Sequence, residues 1–127
     1  MIAQITSQAV LEGELIFAIL FDCVVLLGLS WYYKKYPPKK INELYGFRTR
    51  KTMANQEIWD VANKRNAQDL WQFALYLTVL SVLLIIFKVP YAIFIHLGAM
   101  LIGLGIAVYA SIRYIDKHFD KNGNRIQ

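Results

Sequence analysis

The sequence has little cysteine, little charge and no basic residue near its start, and each shortage excludes a class of protein. Cys23 is the single cysteine, so an intramolecular disulfide and a cysteine metal cluster are excluded, and we expect it to pack as a small apolar side chain. Only 18 % of the residues are charged while 57 % are hydrophobic, which is too apolar for an ordinary soluble domain. Residues 1–14 contain no lysine or arginine, unlike a cleaved signal peptide, so we expect the first apolar block to remain as an anchor. No nucleotide loop, metal cluster or haem motif is present, and we expect no cofactor.

The apolar residues gather in three blocks, at about 15–33, 70–87 and 91–112. A helix needs about 20 apolar residues to cross a hydrocarbon core of ~30 Å, so each block is long enough to span a membrane. We therefore predict an all-α membrane protein whose single domain covers residues 1–127 and contains three transmembrane helices. Residues 88–90 make a very short connection, so the second and third spans should form a tight antiparallel hairpin.

Lysine and arginine are distributed unevenly around the predicted spans. Residues 34–69 contain nine and residues 113–127 contain four, whereas residues 1–14 contain none and residues 88–90 contain one. Because basic residues resist translocation, this predicts a cytoplasmic first connection, a cytoplasmic C-terminus and an N-terminus outside. The basic inner surface would attract anionic lipid headgroups, and the net charge of +5 requires no nucleic-acid partner.

The middle of the chain lacks helix breakers, since no glycine or proline occurs from Phe47 to Val89. We predict one continuous helix of more than ~30 residues there, with Thr52 near its N-cap, running into the second span and extending from the membrane. Pro37 ends the first helix, and residues 41–45 could form one helical turn. The polar tail, residues 116–127, is expected to be frayed.

The predicted cytoplasmic connection carries a polar pattern within residues 42–66. The pattern consists of Asn42, Tyr45-Gly46, Arg48-Thr49, Thr52, Asn55, Trp59 and Ala62-Asn63. Followed by two hydrophobic spans, it resembles the SdpI family of bacterial integral membrane proteins over about residues 15–112. The founding member of that family is an immunity protein that protects a sporulating cell from its own secreted peptide toxin and holds a transcription repressor at the membrane. The resemblance implies an inner-membrane protein with a protection or signalling role and a peptide toxin or small anionic molecule as ligand.

The polar pattern also predicts how a ligand would be held at the cytoplasmic face. Gly46 permits a sharp turn, and the Arg48 guanidinium could bind a phosphate or carboxylate with two hydrogen bonds. Trp59, Asn63 and Asn66 are four and three residues apart, so they share one helix face. The ligand-binding candidates are Asn42, Tyr45, Arg48, Thr49, Thr52, Glu57, Trp59, Asn63 and Asn66.

Two other interpretations of these residues stay open. The tryptophan and asparagines could form a buried hydrogen-bond network that ties the loop to the helix ends, with Arg48 paired to Glu57 or Asp60. Alternatively, Arg48, Glu57 and Asn63 could be the site of a membrane-embedded enzyme that acts on a lipid or peptide.

Two ionisable residues fall inside the predicted spans, where a charge is costly. Asp22 and His96 lie near the outer ends of their spans at depths that differ by about 3 Å, and Ser81 reaches a similar level. They could form a structural hydrogen bond, or a proton-linked or ligand-binding group. Equal depth does not establish the geometry of a hydrolase, so we predict no catalytic residue.

Small residues recur every four positions in the third block, at Ala99, Gly103, Ala107 and Ser111. Such a ridge lets another helix approach closely. Its partner is either a helix of the same chain or a second copy. In the second case the protein would be a homo-oligomer joined through Ala99, Gly103 and Ala107, with a structural or interaction role.

Overall fold

The computed structural model describes residues 1–127 and consists of three α-helices without a β-strand, which confirms the all-α prediction. Helix α1 is Ile2–Lys35, α2 is Gln56–Ile86 and α3 is Ala92–His118. Helix α2 packs along both neighbours, whereas α1 and α3 touch only slightly. The bundle is therefore a row of three helices with α2 in the centre and a cleft between α1 and α3.

Helices α2 and α3 are long and apolar enough to cross a membrane. Helix α3 leaves large apolar side chains exposed, among them Leu101, Ile102 and Ile106. Helix α1 contains the predicted block 15–33 and likewise exposes Phe17. Exposed apolar surface of this extent is typical of protein that contacts lipid.

Helix α1 is longer than the apolar block that predicted it. It begins at Ile2, and residues 2–14 are all exposed. This segment contains two alanines, two glutamines and two glutamates, which favour helix, and no proline interrupts it. Local propensity thus extends the helix beyond its packed part.

Helix α2 is uninterrupted over 31 residues, as the absence of breakers predicts, but its predicted start was wrong. The N-cap is Asn55, whose side-chain oxygen accepts a hydrogen bond from the backbone N–H of Ile58 at 3.0 Å. Thr52 is buried in the preceding turn and donates its hydroxyl to the carbonyl of Phe47 at 2.8 Å. Residues 41–45 form bends instead of the predicted helical turn.

The small-residue ridge of α3 has a partner within the chain. A Cβ added to Gly103 would lie 2.5 Å from Cε2 of Phe73 on α2. The missing side chain is thus what allows the Phe73 ring to lie against the α3 backbone.

The C-terminal tail is folded back onto the start of α2, so the prediction of a frayed tail was wrong. Phe119 is 1 % exposed, and it belongs to a buried apolar cluster formed by Ile58, Ala62, Ile115 and Phe119. The Asn55 amide donates to the carbonyl of Gly123 at 2.8 Å, and Arg125 pairs with Glu57 at 2.8 Å. One aromatic residue in a polar segment supplies the apolar anchor, and the positive φ of 83° at Gly123 provides the turn.

Candidate functional site

Asn63 is the centre of a hydrogen-bond network where the polar connection meets the helices. Its side-chain oxygen accepts from the Tyr33 hydroxyl at 2.7 Å and from the backbone N–H of Phe47 at 2.6 Å. Its amide donates to the carbonyl of Trp59 at 2.9 Å. Asn63 is 1 % exposed, so a single buried side chain connects α1, the loop and α2.

Gly46 is required for the loop to reach Asn63. Its φ is +115°, a conformation that side chains disfavour. A Cβ there would lie 2.5 Å from the Asn63 side-chain oxygen and 2.7 Å from Cγ of Pro38. The glycine therefore serves both a backbone turn and a close approach to Asn63.

The rest of the connection is held by its own side chains. The Asn42 oxygen accepts from the backbone N–H groups of Leu44 and Tyr45 at 2.9 and 2.8 Å, which forms an Asx turn. The Thr52 hydroxyl oxygen accepts from the backbone N–H of Thr49 at 2.8 Å. These bonds fix the backbone on both sides of Arg48.

Two aromatic residues bind the loop to the end of α1. The Trp59 indole donates to the carbonyl of Pro38 at 2.9 Å, and Trp59 is fully buried. The Tyr45 hydroxyl donates to the carbonyl of Tyr36 at 2.9 Å. Burial raises the pKa of the Tyr45 phenol, and the neighbouring Tyr32 adds to the rise. Tyr45 is therefore a neutral hydrogen-bond donor at physiological pH.

Asn66 belongs to a second buried network, one turn closer to the membrane. Its amide donates to the Ser111 hydroxyl at 3.0 Å, and that hydroxyl contacts the Asp69 carboxylate at 2.8 Å. Arg65 donates to the same carboxylate at 2.9 Å, and its guanidinium lies 4.8 Å from the centre of the Tyr114 ring. The buried charge of Asp69 is thus paired and hydrogen-bonded, as burial of a carboxylate requires.

These networks match the structural alternative for Trp59, Asn63 and Asn66, since every buried side-chain polar atom has a partner inside the protein. The ion pair predicted within that alternative was wrong, because Arg48 contacts neither Glu57 nor Asp60. Arg48 is exposed and makes no hydrogen bond or ion pair, while Glu57 binds the tail.

The suggested catalytic set of Arg48, Glu57 and Asn63 does not converge. Glu57 is exposed and bound to Arg125, whereas Asn63 is buried beneath Gly46. No three histidine, cysteine, aspartate or glutamate side chains come together as a metal site requires.

A third polar group joins all three helices within the apolar region. The His96 Nδ1 lies 2.7 Å from the Ser81 hydroxyl, and its Nε2 lies 2.9 Å from the Asp22 carboxylate. Ser81 and His96 are fully buried, while the Asp22 side chain is 35 % exposed. The order of serine, imidazole and carboxylate resembles a hydrolase triad, but the buried serine hydroxyl faces no open site.

The hydrogen bonds of Ser81 link this group to the α2 backbone as well. Ser81 has a second acceptor, the carbonyl of Leu77 at 2.6 Å, but only one hydroxyl hydrogen. The hydroxyl therefore donates either to Leu77 or to His96 Nδ1, and in the first case Nδ1 donates to the hydroxyl oxygen. In both cases Ser81 and His96 stay hydrogen-bonded, which connects α2 to α3.

Sequence reasoning missed several residues that complete these networks: Tyr33, Pro38, Arg65, Asp69 and Ser111 in its hydrogen-bonding role. Tyr33 looks like one of several interfacial aromatic residues, and Pro38 acts through its carbonyl. Asp69 carried the best available signal, an acid at the very edge of an apolar block, which indicates a need for a buried partner.

Most residues of these networks lie within one matched region of the chain, which Asp22, Tyr33 and Pro38 precede. The sequence model of the SdpI/YfhL protein family matches residues 39–115, which is more than half of the chain. The protein belongs to the SdpI family. A segment of 34 residues is 50 % identical to a Bacillus subtilis (strain 168) protein, "Uncharacterized protein YfhL", and covers 27 % of this chain and 31 % of that protein. No solved structure matches the chain. The resemblance read from the polar pattern is thus confirmed.

Proposed function

We propose that this SdpI-family protein spans the bacterial inner membrane three times, with α1 as the additional span. The apolar block at 15–33 supports this, as does the concentration of basic residues at 34–69 and 113–127. In this topology the N-terminus is outside and the C-terminus is cytoplasmic. A reporter fused after Gln127 should give a cytoplasmic signal and one fused at Met1 an external signal; the opposite pair of signals would refute the orientation.

We further propose that the protein binds a small anionic or peptide ligand at its cytoplasmic face and thereby protects the cell or signals. The observation that carries this proposal is the contrast between Arg48 and the residues around it. Asn63 holds Phe47 before Arg48 and Thr52 holds Thr49 after it, yet the guanidinium itself is exposed and has no partner. A rigid loop that presents a free planar cation is prepared to bind a carboxylate or phosphate at low entropic cost.

The test compares conservative changes at neighbouring arginines. Susceptible bacteria expressing Arg48→Lys or Arg50→Lys are challenged with secreted peptide toxins, and the membrane level of each variant is measured by immunoblot. Arg48→Lys should lower protection at least tenfold at unchanged membrane level, since the charge remains but the two-pronged geometry is lost. Arg50 is also exposed, and Arg50→Lys should be nearly silent. Equal responses of the two variants would reduce the loop to a charged anchor for headgroups.

A further inference from the structure

A basic cavity of about 490 Å³ lies at the end of the cleft between α1 and α3. Three cations line it, Lys34 from α1 and Lys64 and Arg65 from α2, together with Gln68 and Tyr114. None of its lining residues is acidic. Its volume is in the range of small-molecule sites, and its charge selects an anion.

The sequence positions of the lining residues place the cavity at the depth of lipid headgroups. Lys34 directly follows the apolar block 15–33, Gln68 lies two residues before the block 70–87 begins, and Tyr114 lies two residues after the block 91–112 ends. All three helices therefore contribute their membrane-boundary residues.

The three cations differ in the contacts that they already make within the protein. Arg65 is oriented by Asp69 through Nε and by the Tyr114 ring, which leaves its two terminal nitrogens without partners in the protein. Lys34 lies 5.7 Å from the centre of the Trp71 ring. Lys64 makes no hydrogen bond or ion pair. An oriented guanidinium that shares a cavity with two ammonium groups, neither of them in an ion pair, is the chemistry that binds a phosphate.

We infer that this cavity, the basic cavity of Lys34, Lys64, Arg65 and Gln68, is a binding site for a phosphate group of an anionic lipid headgroup or a soluble phosphate ester. This site is distinct from Arg48, and the inference does not depend on the protection role proposed above.

The test uses the full-length protein purified in a non-ionic detergent, with ligand binding measured by native mass spectrometry. Phosphatidylglycerol is the lipid probe, phosphatidylcholine is the zwitterionic control and glycerol 3-phosphate is the probe without acyl chains. Lys64→Gln should weaken phosphatidylglycerol binding about fivefold, which corresponds to one basic residue near a headgroup. Lys64→Arg should retain the affinity.

Lys40→Gln is the matched control, because Lys40, like Lys64, is an exposed lysine within residues 34–69, but it lies outside the cavity. It should change the affinity less than twofold. If phosphatidylglycerol binds, glycerol 3-phosphate does not, and Lys64→Gln weakens the binding, the ligand is a lipid headgroup. If both probes bind and Lys64→Gln weakens both equally, the ligand is a soluble phosphate ester. Equal losses from Lys40→Gln and Lys64→Gln, or equal binding of the two lipids, would overturn the inference. Since Lys64 has no internal partner, the fold is expected to survive its replacement.

Discussion

Removing the Asn63 side chain should destabilise the protein more than any single exposed change in the polar connection. Asn63→Ala deletes three hydrogen bonds and leaves the Tyr33 hydroxyl and the Phe47 N–H without an acceptor. An orphaned buried donor costs about 1–3 kcal/mol. Tyr33 is buried and pays this cost in full, whereas Phe47 is half-buried and reaches water more easily. We therefore expect a loss of ~2–4 kcal/mol in the free energy of unfolding.

Tyr33→Phe provides the second arm of a double-mutant cycle. On its own it removes one hydrogen bond and should cost about 1 kcal/mol, because Asn63 keeps its bond to Phe47. In the Asn63→Ala background it should cost almost nothing, since no acceptor remains for the hydroxyl, and the coupling should be ~1 kcal/mol or more. Unfolding in mixed detergent micelles, followed by the fluorescence of the three tryptophans, of which Trp59 is fully buried, measures each free energy. Strictly additive losses would refute the Tyr33–Asn63 bond.

Two further predictions compare a glycine in a crowded place with a glycine in open space, and a third concerns the pH dependence of the C-terminal tail. Gly46→Ala should lower the unfolding free energy by roughly 3 kcal/mol or more, because the residue has a positive φ and the new methyl group would collide with the Asn63 side chain. Gly28→Ala should be neutral or stabilising, because Gly28 has open space around it. Gly103→Ala should cost ~1–3 kcal/mol by displacing the aromatic ring packed on it, and Gly105→Ala, also in open space, should lower the melting temperature far less. The backbone N–H groups that bind the Asp120 carboxylate lower its pKa below the ordinary 3.8, so the tail keeps this stabilisation above pH 3.8 and loses it as the pH falls through the lower folded value. Amide protection in residues 120–127, corrected for the intrinsic pH dependence of exchange, should fall over that acidic range, and protection that does not change with pH would count against this prediction.

The fold could be predicted in outline because its signals are local. Long apolar blocks and the absence of breakers from Phe47 to Val89 predict helices directly. The failures were at the boundaries, where tertiary contacts decide. Thr52 is a good cap in isolation, but its hydroxyl is used by the loop, and Asn55 caps α2 while it also holds the tail. The tail itself is ordered by Phe119, a single apolar residue whose burial no local pattern predicts.

The sequence predicted which residues belong to the candidate site, but not which groups they bond with. Spacing on one helix face places Trp59 and Asn63 together, and both are buried. Their partners are backbone or distant groups, such as the carbonyl of Pro38 and the hydroxyl of Tyr33, and sequence alone gives no pairing for these. For Arg48 the sequence suggested a partner that the fold does not provide. Pairing with a nearby acid was plausible from the sequence, but Arg48 is exposed to solvent in the folded loop.

The polar contacts also explain how a row of three helices keeps its arrangement. Inside a membrane, apolar packing provides little net drive for helix association, and an interhelical hydrogen bond contributes only about 0.6 kcal/mol on average, so several are needed. At the end of the bundle that carries the polar connection, Tyr33–Asn63 joins α1 to α2 and Asn66–Ser111 joins α2 to α3. At the other end, the bond between His96 and Asp22 joins α3 directly to α1, which it otherwise barely touches. The bond between His96 and Asp22 thus holds α1 and α3 together at one end, whereas no hydrogen bond joins these two helices beside the basic cavity.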